Sequence, residues 1–319
     1  MIADFHAAAI GSLENACLVG VADARAENAK SFAEKYSVKA YDSFESMLAD
    51  GEVDAVCICT PNGYHAENAI TALQAKKHVV LEKPMAITVE DTLRVANACE
   101  QSGCMLSVVS QLRFSQDVKR VKDLLAENAF GKLVFCNLSM KYWRDPAYYA
   151  NGVWKGTKAL DGGGALMNQG IHGVDLLLYI AGDAKVLSAK TQTAFHDIEV
   201  EDVAVAMLAF ENGCVGTLEA STCAYPGFER VIEIVGSEGC AVLKENTLTK
   251  LVVRGETVVD LENVALAGTA SDPAAMSYTL HAKQLDNFIK AVQGKEPLLM
   301  NAVEGQRAVK LIQEIYNKG

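Results

Sequence analysis

Two hydrophobic periods alternate along the first third of the chain. Ile2 to Ile10 reads as a helix start, and Ala16 to Asp23 as a buried strand that ends in an acid. "RAENAKSFAEKY" is helical, "VKAY" is a short strand and "SFESMLAD" is helical again. "VDAVCICT" is a near-continuous apolar run of strand length, the pattern of a strand covered on both faces. "YHAENAITALQAK" carries Ala66, Ala69, Ile70 and Leu73 on one helical face, and "HVVLE" is the next strand. "TVEDTLRVANACEQSG" has Thr88 as its N-cap and stops at Gly103; "MLSVV" follows as a strand. Strands and helices that alternate with short connections predict an α/β unit, a doubly wound parallel sheet over residues 1–115.

Beyond residue 115 the rhythm changes. "SQDVKRVKDLLAENAFG" is one amphipathic helix and "KLVFCNLSMKYW" a long strand. A helix covers about 164–181. Then come "KVLSAKTQTAF", "VAVAMLAF", "CVGTLEAST", "RVIEIVG" and "CAVLK", separated by turns such as "ENG" and "GSEG". Successive strands with short turns predict a large, open-faced antiparallel or mixed sheet in a second, α+β domain over 116–319. Helices near 276–293 and 303–317 close the chain, the last expected to pack back on the first domain.

Composition narrows the function. The 319 residues carry a formal net charge of −11, which argues against nucleic acid or an anionic membrane surface as partner. No run of 18 apolar residues and no signal peptide is read, so neither a membrane span nor export is expected. Nine scattered Cys residues without a C-x-x-C point to a reducing cytoplasm, most of them as small core hydrophobes. The six His residues lack metal-ligand spacing, and no metal is expected.

Four stretches carry chemistry. Asp23, at the end of the second strand position, suits the ribose hydroxyls of NAD and would repel the 2′-phosphate of NADP; a solvated loop acid is the competing reading. "TPNGYH" (Thr60 to His65) leaves a parallel strand at its carboxyl end, where open α/β sheets bind ligands, although the same turn is ordinary loop chemistry. "LEKP" puts Glu82 and Lys83 on that edge. A buried Lys there could hold a substrate hydroxyl, stabilise an alkoxide or relay a proton, whereas a surface pair is the bland alternative. In "DGGGALMNQGIHGVDLLLYIAG", Asn168 and His172 are four apart on one helical face, with Asp175 three further on. The triple Gly reads as a flexible entry that brings backbone close to substrate, not as a phosphate loop. The aromatic and basic "KYWRDPAYY" suits a sugar or small polar substrate.

With these residues the chain resembles the glucose–fructose oxidoreductase / inositol dehydrogenase / rhizopine-catabolism (Gfo/Idh/MocA) family. "IADFHAAAI", "TPNGYHAENAITAL", "KKHVVLEKPMA", "QLRFSQ", "WKGTKALDGGGALMNQGIHGVDLLLYIAG" and "HAKQLDNFIKAV" carry the likeness over nearly the whole length. It implies a Rossmann-type first domain and hydride transfer between NAD, or NADP as second candidate, and a sugar, cyclitol or sugar-derivative hydroxyl or ketone. Lys83 and His172 match catalytic positions. Asn168 stands where many members have Asp; it could orient the ring without adding a charge. Ile2, Ala3, Asp23, Thr60, Pro61, Asn62, His65, Glu82 and Lys83 match cofactor-binding positions. Arg113, Tyr149, Trp154, Lys155, Asn168 and His172 are expected on the substrate side. A homo-dimer or homo-tetramer through second-domain sheets is implied.

The family's entry is strand, G-x-G-x-x-A/G, then helix, and Ala3 falls on the final small position. A missing first strand would forfeit on the order of 10 kcal/mol of burial and the backbone donors to a pyrophosphate. Two readings follow: an enzyme whose start is placed too late, or a truncated, inactive member that serves as a sugar-binding or oligomeric partner. Weak or absent NAD binding is expected of the chain as written.

Overall fold

A computed structural model of the chain describes residues 2–150, 154–261 and 277–319. The expected alternation is present: α1 (Ile2–Gly11), β1 (Gly20–Val21), α2 (Ala26–Tyr36), β2 (Lys39–Ala40), α3 (Phe44–Leu48), β3 (Ala55–Ile58), α4 (His65–Gln74), β4 (His78–Leu81), α5 (Val89–Ser102) and β5 (Leu106–Val108). The strands form two parallel pieces, β1–β2 and β3–β4–β5. Ala16 to Asp23 was expected as a buried strand, yet only Gly20–Val21 pairs, on one side with β2, and both residues stay half-buried. A strand with one partner satisfies half its backbone and keeps one edge open.

Register then places the chemistry. Ile58 pairs with Leu81, and Leu81 with Val108, so the chain leaves β3 and β4 side by side. Thr60–Asn62 and Glu82–Lys83 therefore emerge on one edge. The caps act as the sequence predicts: Thr88 accepts from the Asp91 N–H (3.1 Å), and Gly103 ends α5 at φ 69°. In α4, Ala66, Ala69 and Leu73 are buried against the sheet.

The second part holds α6 (Gln116–Ala126), β6 (Leu133–Lys141), α7 (Pro146–Ala150), α8 (Ile171–Ala181), β7 (Ala184–Gln192), β8 (Val203–Phe210), β9 (Val215–Ser221), β10 (Val231–Gly236), β11 (Gly239–Lys244), β12 (Thr247–Val253) and β13 (Glu256–Asp260), then α9 (Thr279–Val292) and α10 (Ala302–Lys318). Its strands make one mixed sheet, ordered β13-β12-β11-β10-β6-β9-β8-β7, in which β6 and β9 are the parallel pair. Strands β12 and β13 were not anticipated. The inner face buries Leu138, Met140, Leu208, Leu218, Ile232 and Ile234 with Val174 and Leu177 of α8. Alternate residues, among them Phe135, Val205, Met207, Val215 and Val235, stay exposed on the outer face. The last helix packs on β7 and also on α5 and β5. No helix among the described residues is long and apolar enough to cross a membrane.

Candidate active site

Directly after β4 the chain runs Glu82–Lys83–Pro84, with a cis bond at Lys83–Pro84. Glu82 is buried. Its Oε1 accepts from the His6 ring (2.8 Å) and its Oε2 from the Lys83 backbone N–H (3.2 Å). Burial pushes this carboxyl up, but the hydrogen bond and charge of His6 prevail and hold it at about 2. The Lys83 ammonium crosses to the second part of the molecule and donates to the Asn168 carbonyl oxygen (2.8 Å), with Asn168 Oδ1 at 3.5 Å. Burial depresses its pKa, against the opposing fields of Glu82 and Asp161. His172 lies one turn beyond Asn168 and lines the same small cavity as Lys83. Burial first, then the Lys83 charge, lowers its pKa well below the usual imidazole range, so the ring is neutral.

Asn168 sits in a π-helical turn, Ala165–Gly170, that leads into α8. Such turns recur at functional sites, since the extra residue per turn re-aims a side chain. Asn168 Nδ2 donates to Asp161 Oδ1 (2.7 Å). Asn62, from the "TPNGY" loop, gives its own Nδ2 to the same oxygen (3.1 Å) and to the Asp161 backbone oxygen (3.0 Å). The Gly156 N–H donates to Oδ2 (2.8 Å). Asp161 is 0% exposed, and burial carries its carboxyl up to about 7 despite these donors.

The triple glycine has another purpose than the one expected. A Cβ at Gly162 would meet Ile87, one at Gly163 would lie 2.1 Å from Tyr316 Oη, and one at Gly164 would lie 2.1 Å from the Glu201 oxygen. The leading N–H groups of the π turn go to Glu201, which accepts from Gly164 (3.0 Å) and Leu166 (2.8 Å) while Tyr316 donates to it (2.9 Å). Close packing with the protein demands glycine here.

Several expected site residues are already committed elsewhere. Arg113, expected toward substrate, is wholly buried and makes a bidentate pair with Asp175 (2.9 and 2.6 Å) and a third bond to Glu304 (2.7 Å). A guanidinium under a helix is stable only with such partners. Tyr149 is also buried, its hydroxyl donating to Thr222 Oγ1 (3.0 Å). Glu82, expected against the cofactor, has both oxygens taken within the protein. His65 is buried with Nδ1 2.6 Å from the Pro84 oxygen and Nε2 2.9 Å from the Thr60 oxygen, so it ties the two edge loops together. Its pKa is lowered by burial.

Of the other expected residues, Asn62 and Asn168 are buried with their amide nitrogens on Asp161, whereas those at the entrance are exposed or half-buried. Asp23 is exposed at the end of β1, its Oδ1 accepting from the Arg25 N–H (2.8 Å) and Asn28 Nδ2 (3.2 Å). Thr60 is exposed and Pro61 half-buried; Ile2 and Ala3 open α1, whose first N–H groups have no helical acceptor. Lys155 is half-buried with Nζ 3.6 Å above the Tyr148 ring, and Trp154 is half-buried beside it. Tyr148 Oη accepts from Gln169 Nε2 (2.8 Å), and Gln169 Oε1 accepts from Arg144 Nε (3.0 Å). Sequence reading named none of His6, Arg144, Tyr148, Asp161 and Gln169 as site residues, although Arg144 and Tyr148 lie in the aromatic and basic "KYWRDPAYY" and Asp161 directly precedes the glycines.

These residues fit a dinucleotide in their donor chemistry. An exposed acid follows β1 where a ribose would lie, α1 begins at Ile2, and the edge loops of β3 and β4 lie beside Lys83. Comparison with known proteins agrees. The model described as "Oxidoreductase family, NAD-binding Rossmann fold" matches residues 1–110, and "GFO/IDH/MocA C-terminal domain" matches residues 118–242. The WlbA dehydrogenase of Bordetella pertussis, solved with NADH and UDP-GlcNAcA, is 30% identical with a TM-score of 0.88 over 99% of this chain and 93% of that one. Myo-inositol 2-dehydrogenase of Thermotoga maritima is 27% identical over 97% of this chain and 91% of its own. D-glucoside 3-dehydrogenase of Escherichia coli is 27% identical over 94% and 87%.

Proposed function

The chain belongs to the GFO/IDH/MocA family of NAD-binding oxidoreductases, and from that membership we propose that it moves a hydride between NAD and a ring hydroxyl or ketone of a sugar, cyclitol or sugar derivative. The relatives whose names carry myo-inositol, a D-glucoside and UDP-GlcNAcA support that substrate range. The observation that carries the assignment of roles is the 2.8 Å bond from Lys83 Nζ to the Asn168 oxygen. It brings the amine of the nucleotide-side edge to the turn that presents His172.

NAD, when bound, supplies the hydride acceptor. Asp23, the first N–H groups of α1 and the Thr60–Asn62 loop would hold it, with Glu82 acting behind Lys83 and not on the cofactor. Lys83 takes the proton from the reacting hydroxyl, or returns it to the oxyanion in the reverse direction, because burial brings its amine form within reach. His172, neutral, accepts a hydrogen bond from a substrate hydroxyl or shares that proton. Asn168 orients Lys83. Lys155 and Tyr148 shape the far side for a polar ring, whose hydroxyls suit a Tyr edge and an ammonium.

A second copy of the chain would cover the outer face of the mixed sheet. Phe135 pairs in register with Val215 on one side and Val235 on the other, so the exposed apolar side chains form a continuous row. That row supports a homo-dimer or homo-tetramer. Nine thiols support a reducing cytoplasm as the place of action.

The test is a screen for NADH formation with sugars, cyclitols and nucleotide sugars, run in parallel on Lys83→Ala. Turnover by the parent on one class, lost in the variant, is the expected result. Equal turnover by both would remove Lys83 from the mechanism.

A further inference from the structure

We propose that Asp161 is a positioning residue for this reaction: its buried carboxylate clamps the Asn62 loop to the Asn168 turn and supplies, across Asn168, the negative charge against which Lys83 holds its proton. The inference rests on the role given to Lys83 above.

The geometry is directional. A carboxylate only accepts, so it draws the amide nitrogen of Asn168 towards itself and leaves Oδ1 on the Lys83 side. The same rule turns Asn62 Nδ2 inwards. One side chain thus sets the orientation of two amides, one of them 99 residues from it, that come from the two halves of the molecule. The backbone reinforces the clamp, since the Gly63 N–H donates to the Leu160 oxygen (2.8 Å). A Cβ at Gly63 would lie 2.6 Å from the Ala159 oxygen, so the two loops are in direct contact.

Charge gives the clamp its chemical consequence. Two carboxylates favour the ammonium form of Lys83, Glu82 and Asp161, and Glu82 is occupied by His6. The groups around Asp161 come from every element packed on it. Lys83 follows β4, Lys155 and the Gly156 N–H precede the π turn, and Tyr148 and Tyr149 lie on α7. Glu201 precedes β8, and Tyr316 comes from α10. Burial and Glu201 oppose the charge on Asp161, whereas Gly156, Lys83 and Asn168 favour it. A carboxyl balanced in this way is ionised while Lys83 is an ammonium and loses its support when Lys83 becomes an amine. Asp161 and Lys83 are therefore coupled through Asn168, with no contact between them required.

Lys83 can be titrated without turnover. Competitive trace acetylation of the full chain with acetic anhydride over a range of pH, read by mass spectrometry at the Lys83 peptide, reports when the amine appears. Asp161→Asn should move that titration down by about one pH unit, and D161N/N168D, which reverses the hydrogen bond and returns the charge, should move it back. In steady state, D161N should lower kcat by on the order of 10- to 100-fold and shift the acidic limb in the same direction. An unshifted Lys83 titration in folded D161N overturns the proposal, as does a swap variant that stays at the D161N value. Should D161N not fold, N168D against D161N/N168D isolates the same charge: a lower titration in the double variant supports the proposal, and equal titrations overturn it. The labelling result stands whether or not any sugar is turned over, so failure here is separable from failure of the activity screen.

Discussion

His6 and Glu82 stand 76 residues apart in sequence and 2.8 Å apart in space, both nearly inaccessible to solvent. The contact joins the first helix to the residue immediately before Lys83, so the element that opens the nucleotide side also fixes the base of the candidate catalytic loop. Breaking a buried pair by deleting one partner leaves an uncompensated charge, and Glu82→Gln should cost roughly 3 kcal/mol. The pH dependence follows from the direction of each shift. Folding holds Glu82 at about 2, below its ordinary 4.5, so its contribution is complete above 4.5 and is lost as pH falls towards about 2. Burial opposes charge on His6, but the polar atoms of Cys59 and Cys57 help to raise its pKa well above 6.5. Its contribution is complete below 6.5 and fades as pH rises through that raised value. The Tm gap between parent and Glu82→Gln should be widest between these limits and close on acidification; a gap independent of pH would contradict the pairing.

Arg113 and Asp175 make another buried pair, and it separates two readings of one residue. A substrate ligand, when shortened, raises KM at unchanged stability. A structural cation does the reverse. Arg113→Ala should therefore lower urea-unfolding stability by roughly 3–5 kcal/mol, with KM of the remaining folded enzyme altered less than about twofold. A large KM effect at parental stability would return Arg113 to the substrate side.

How far these features could be read beforehand depends on how local their causes are. Strands β3 and β4, helices α4 and α5 and the Thr88 cap follow from nearest-neighbour pattern, and the sequence announces all of them. Lys83 and His172 were legible as chemistry because each sits at a recognisable element end. Arg113 was expected toward substrate, whereas the structure buries it on partners 62 and 191 residues away, and nothing near "QLRFSQ" distinguishes a buried guanidinium from one facing a ligand. Asp161 was passed over although Gly156 and Asn168 lie within seven residues of it; only its tie to Asn62 spans 99. The π turn escaped because helical spacing at i and i+4 does not register one extra residue per turn. Strands β12 and β13 were lost after "CAVLK" because "TLTKLVV" does not alternate, although its Leu248 and Leu251 are buried in the core.

Lys83 should define the rising limb of the rate. Its pKa is lowered from 10.5, chiefly by burial, so the amine form accumulates at a pH where a surface lysine is still charged. For hydroxyl oxidation, kcat should rise with pH and level off below 10.5. Lys83→Ala should lose at least two orders of magnitude in kcat and the limb with it, while NAD affinity measured by calorimetry stays at the parental value. Retention of the limb in Lys83→Ala would assign the proton transfer to another group.

Phe135 lies between Val215 and Val235 on the outer sheet face, and in the homo-dimer proposed above a charge there would meet its own copy across a two-fold axis. Like charges facing each other cost several kcal/mol. Phe135→Glu should reduce the mass seen by light scattering to that of one chain, 34.2 kDa, without lowering the Tm of the monomer's core, because Phe135 points away from it. An unchanged oligomer, or a parent that is already monomeric, would move the interface elsewhere.

Lys155 gives the last test, since its ammonium has two possible loyalties. It lies 3.6 Å from the Tyr148 ring centre, and Tyr148 is held through Gln169 by Arg144. Burial lowers its pKa and Arg144 does so further, whereas Asp161 acts in the other direction. A cation kept half-buried against an aromatic face, with a second cation nearby, is poorly placed to stabilise the fold and well placed to meet a polar ring that brings its own oxygens. Lys155→Met keeps the aliphatic stem over Tyr148 and removes only the charge. One lost charge-assisted hydrogen bond is worth about 1.5–3 kcal/mol, so KM should rise roughly tenfold or more. The proton-handling groups are untouched, so kcat should change less than about twofold. The opposite outcome, a parental KM with a lowered Tm, would make Lys155 a structural partner of Tyr148 and leave the far side of the sugar site to Trp154 and Arg144.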